Sequence, residues 1–95
     1  MIVVRVCTDG LTVDGHADHA EAGKDIVCAS VSALTQSLVY GLESLTEDEI
    51  RYRLEPGNSE VRYENLSEQG CLLVDSFFIG ISTMAMAYPE YVKVI

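Results

Sequence analysis

Basic residues are scarce in this chain: six Lys and Arg stand against 15 Asp and Glu, for a net charge of −9. A nucleic-acid binder needs a basic face to neutralise phosphates, so the balance argues against that class. It fits a soluble chain, or one that meets basic partners. There is no long acidic run, which argues against an acidic tail. No run reaches the ~18 apolar residues that a membrane span needs. The opening Met1-Ile2-Val3-Val4-Arg5-Val6 lacks the charged start, long apolar stretch and small-residue cleavage site of a secretory signal, so the chain is expected in the cytoplasm. Its three cysteines are odd in number and irregular in spacing, in keeping with reduced thiols in that compartment. Repeats, linkers and low-complexity segments are also absent.

What is present is enough apolar residue, 48% of 95, for one modest core. The reading is a single domain over residues 1–95. Burial is limited at this size, so pairing with a second copy would help. Ile2–Cys7 is rich in β-branched residues and reads as a strand. Thr8-Asp9-Gly10 is the turn into a return strand, Leu11–His16. Asp25 is a helix N-cap candidate. From Ile26 to about Leu42 the residues Val27, Val31, Leu34, Leu38 and Leu42 recur at three- and four-residue steps, one stripe of an amphipathic helix. Glu49–Glu55 and Ser59–Glu64 alternate as strands around Pro56-Gly57-Asn58. Asn65 and Glu68 resemble a capping box for a second helix, from about Ser67 to Ala87. Its apolar stripe, from Leu73 through Phe77, Phe78 and Ile81 to Tyr88, is wide enough to make it the main core helix. Pro89 ends it, and Tyr91–Ile95 is a short candidate edge strand. The expected class is α+β: a two-layer sandwich in the order β-β-α-β-β-α, with two helices on one face of a mainly antiparallel sheet.

One stretch carries chemistry. His16 and Cys28 lie twelve positions apart, with a small-residue loop between them. If Asp25 caps the helix, Cys28 sits in its first turn, where about half a positive charge and unpaired N–H groups favour the thiolate. His16 could take the thiol proton and return it to a leaving amine. Ser32 lies one turn beyond Cys28 on the same side, within reach of the sulfur or an oxyanion. Gly15 and Gly23 supply conformational freedom at either end of the loop Ala17–Lys24, freeing it to open over a substrate. Plainer roles compete at each position. Helical cysteines are commonly small buried residues, a lone histidine commonly ends a strand at the surface, and Ser32 could simply bond the carbonyl four residues back. A zinc site from His16, His19 and Cys28 lacks a clear fourth ligand. Cys7 and Cys71 read as structural.

The segments Gly15-His16-Ala17, Gly23-Lys24-Asp25-Ile26-Val27-Cys28-Ala29 and Val31-Ser32-Ala33-Leu34 resemble the signature of the ribosomal-processing cysteine proteases, the Prp family. Tyr88-Pro89-Glu90-Tyr91-Val92-Lys93-Val94 is similar to that family's ending. Two departures are a short opening hairpin and Ser30 in place of a common alanine. The resemblance implies a homodimeric cysteine endopeptidase that removes the N-terminal extension of a large-subunit ribosomal protein, number twenty-seven, cutting after an aromatic residue. It puts the catalytic histidine on His16, the nucleophile on Cys28 and the supporting positions on Asp25 and Ser32. No cofactor and no metal are implied. Two other readings are a non-catalytic ribosome-assembly factor that binds a basic ribosomal protein, and a redox-sensing thiol protein, which would need a resolving cysteine close in space.

Overall fold

The structure, a computed structural model, describes residues 1–17 and 25–95. Its elements are β1 (Ile2–Cys7), β2 (Gly10–Asp14), α1 (Ile26–Leu45), β3 (Ile50–Glu55), β4 (Asn58–Tyr63), α2 (Glu68–Ala87) and β5 (Val92–Val94). The strands form one sheet in the order β3-β4-β2-β1-β5. All neighbours run antiparallel except β5, which lies parallel to β1 on the far edge. The expected α+β sandwich is therefore present, with the C-terminal strand included.

Alternation along the strands assigns the two faces of the sheet. Ile2 and Val4 of β1, Leu11 and Val13 of β2, and Val61 and Tyr63 of β4 are buried and meet the helices. The opposite face is open. Register places Arg5, Arg51, Arg53, Arg62 and Lys93 all on this open face, which thus holds every basic residue among those described. Arg62 bonds Glu60 at 2.9 Å and lies 3.5 Å from Asp9, and these carboxylates raise its pKa further.

Two readings of the helices need correction. The main core helix is α1, not α2. α1 buries Val27, Val31, Thr35, Leu38, Val39 and Leu42, whereas α2 buries only Gly70, Phe77 and Ile81. The broad stripe of α2 wraps past the core edge, so Phe78 is exposed and Leu72, Ile79 and Met86 stand in single file in solvent. The capping box at Asn65 does not form either. Ser67 is the N-cap, its hydroxyl accepting the Gly70 N–H at 3.0 Å, while Asn65 turns the chain at φ 52. Asp48 holds Ser67 in place, accepting its N–H at 3.0 Å and its hydroxyl at 2.8 Å. Asn tolerates the left-handed backbone of a turn, which is why the cap falls to the serine.

The sequence also counts no uninterrupted apolar run of membrane length. As helices, α1 and α2 nonetheless reach 20 residues each with mean hydropathies of 1.3 and 1.6, a match by length and composition that core helices also meet. Cys7 and Cys71, read as structural, are both exposed; Cys7 ends β1 and Cys71 lies in the first turn of α2.

Leu42 is fully buried between sheet and helices. Leu42→Ala is expected to cost about 2–5 kcal/mol in urea unfolding, while exposed Leu45→Ala stays within about 0.5 kcal/mol.

Candidate active site

The first turn of α1 is built by Asp25. Its backbone is extended (φ −79, ψ 100), and its Oδ1 accepts the N–H groups of Val27 and Cys28, each at 3.0 Å. The Ala29 N–H closes the first helical bond onto the Asp25 carbonyl at 3.0 Å. Cys28 is thereby fixed in the first helical turn, its side chain partly exposed, at the positive end of the 20-residue helix.

The chain approaches the thiol from β2. That strand ends at Asp14, two residues short of the expected boundary, so His16 is not a strand residue. Gly15 (φ 99) makes the exit, where any Cβ would overlap the Met1 carbonyl oxygen. His16 is exposed, and the buried Ala17 that follows donates its N–H to Cys28 Sγ at 3.2 Å. The backbone on either side of His16 is thus pinned: Gly15 donates to the Gly57 carbonyl at 2.9 Å, and Ala17 donates to the sulfur.

His16, Cys28, Gly15 and Ser32 line one cleft of about 300 Å³, with Thr35 and Gln36 of α1 and the β3–β4 turn Pro56-Gly57-Asn58 as further walls. The expected site residues His16, Cys28, Ser32 and Gly15 are therefore brought together, and Asp25 stands outside the cleft wall, bonded to the Cys28 N–H. Gly23, Lys24 and His19 lie outside the described residues, as does most of the loop Ala17–Lys24. Ser32 makes no back-bond among the described residues. Ser30 and Thr35 make that bond instead, to Ile26 O at 2.7 Å and Val31 O at 2.8 Å, while Ser32 lines the cleft. No group of three His, Cys, Asp or Glu that could hold a metal occurs among the described residues. The β3–β4 turn was not anticipated as part of the site. Its Pro-Gly pair is visible in sequence, but its place against His16 follows from β4 lying beside β2.

The family model for cysteine protease Prp matches residues 1–93. The chain belongs to the Prp family of cysteine proteases. A ribosomal processing cysteine protease Prp of Staphylococcus aureus is 31% identical over 84 residues, covering 85% of this chain and 79% of its own length. The crystal structure of an essential S. aureus ribosomal processing protease Prp, in complex with a covalently linked product peptide, superposes with a TM-score of 0.93 at 26% identity, over 99% of this chain and 97% of that one. A Streptococcus mutans protein superposes with a TM-score of 0.76 at 30% identity, over 99% and 90%.

Removing the cap tests how the thiol is held. Asp25→Ala is expected to cost about 1–2 kcal/mol in urea unfolding and to slow alkylation of Cys28 by iodoacetamide, while Asp25→Asn keeps most of both.

Proposed function

We propose that this chain is an endopeptidase that removes the N-terminal extension of large-subunit ribosomal protein twenty-seven, cutting after an aromatic residue by a Cys28–His16 dyad. The observation that carries this reading is the Cys28 sulfur at the capped N-terminus of α1, in one cleft with His16 and accepting the Ala17 N–H. Its relatives support the substrate class, since the S. aureus proteases are ribosomal processing enzymes and one was solved with a substrate peptide. The reaction is acyl transfer. His16 takes the thiol proton, and the thiolate attacks the peptide carbonyl. The Val27, Cys28 and Ala29 N–H groups, expected to be unpaired, are all bonded to Asp25, so it is the positive end of the α1 dipole, with the Ser32 hydroxyl, that stabilises the oxyanion. His16 then protonates the leaving amine, and water hydrolyses the thioester. Asp25 sets the helix end, and Ser32 offers a hydroxyl to the reacting groups.

A homodimer acting in the cytoplasm belongs to the same reading. The file of Leu72, Ile79 and Met86 on α2, 70%, 66% and 83% exposed, supports a second copy, because apolar side chains so aligned gain from mutual burial.

Two measurements check these points. The wild type is expected to cut a peptide spanning the extension junction after its aromatic residue. Cys28→Ala is expected to abolish cutting and His16→Ala to slow it by about 10²–10⁴-fold; cleavage by Cys28→Ala refutes the nucleophile. In sedimentation equilibrium the chain is expected to be a dimer, with Ile79→Glu shifting it to monomer.

A further inference from the structure

The turn between β3 and β4 meets the imidazole of His16 at its Nε2 corner. A Cβ built on Gly57 would overlap His16 Nε2 and stand 3.0 Å from Cε1 and 3.2 Å from Cδ2. The residue is therefore a glycine for two separable reasons. Its φ of +76 is the left-handed value that follows a proline in a tight turn. That demand alone admits asparagine as well. The second demand is space for the imidazole where it lies, because any Cβ would displace the ring from this position.

The turn is itself held to the strand that delivers the histidine. Gly57 O accepts the Gly15 N–H at 2.9 Å. Asn58 Nδ2 donates to Asp14 Oδ1 at 2.8 Å, and its Oδ1 accepts from Arg53. Asn58 also pairs with Asp14 in the ladder of β4 and β2. The surface presented to the ring is thus fixed from three directions, whereas the His16 side chain is exposed.

We propose that Gly57 is a positioning residue for His16: the β3–β4 turn is the surface against which the imidazole comes to rest, and it limits the ring to orientations facing the Cys28 thiol. This rests on the Cys28–His16 reading above. Gly57 takes no part in bond making; it acts only through where it lets the ring lie. An imidazole exposed on its other side would otherwise sample rotamers pointing to solvent, and general acid–base catalysis falls steeply with misplacement.

The test is a mutant cycle on the full chain, read by Cys28 alkylation with iodoacetamide across pH 5–9 and by peptide cleavage. Gly57→Asn adds a side chain at the least backbone cost; Gly57→Ala adds only a Cβ but also strains the left-handed backbone, and serves as the second variant. Both are expected to lower kcat about 10–100-fold with KM changed less. They are also expected to remove from the alkylation profile the step that His16→Ala removes. The double variant His16→Ala with Gly57→Asn is expected to be no slower than His16→Ala alone, because both act through one ring. A folded Gly57→Asn with wild-type kcat and profile overturns the proposal, as does a double variant slower than His16→Ala by the full single effect. If His16→Ala itself leaves wild-type kcat and profile, the dyad reading falls first, and that outcome is distinct.

Discussion

Oδ1 of Asp25 accepts the N–H groups of both Val27 and Cys28, and this pair of bonds at 3.0 Å is where the fold and the chemistry are joined. The first four N–H groups of a helix have no partner within it, so a buried start must be satisfied from outside. Asp25 does this while nearly buried itself, at 9% exposure. The same two bonds fix the direction in which α1 leaves, and so which of its faces carries Val27, Val31, Leu38 and Leu42 into the core. They also fix where the Cys28 sulfur stands. Core packing and nucleophile placement are therefore one constraint, and neither can drift without the other.

The second half of the site comes from a different layer. His16 is delivered by the end of β2, and its surroundings are made by the β3–β4 turn, far along the chain but adjacent because β4 pairs with β2. Three segments remote in sequence thus meet at one end of the strands. Such a meeting place is rigid where the ladder holds it and open where the strands stop, which is the combination a peptide cleft requires.

Much of this was legible in the sequence, for physical reasons that differ by element. The stripe of α1 and its cap were readable because helical period and N-cap chemistry are local. So were the strands, whose alternation separates two faces. The start of α2 was not, since Asn65 and Ser67 both suit a cap; the choice is made by Asp48, which lies in the loop after α1. The breadth of α2's apolar stripe gave a false burial for Phe78, because periodicity reports a face but not how much of it the partner covers. His16 and Cys28 were visible as a pair, yet the contact of His16 with Gly57 was not, because it depends on strand order, which no local pattern states.

The segregation of charge on the sheet has a consequence for how the molecule meets others. The described cations all lie on the open sheet face, while neither helix contains a basic residue and acidic side chains occupy both and the loops beside them. By the same register Asp14, Glu55 and Glu60 share that face, so it is near balance, and the net charge of −9 is carried mainly by the helices and loops. A cationic chain diffusing nearby feels a torque as well as a pull: the protein turns its helical layer toward it and its sheet away. Added salt would weaken that alignment before it touched any contact in the cleft, so ionic strength acts on the rate of productive collision separately from the chemistry that follows.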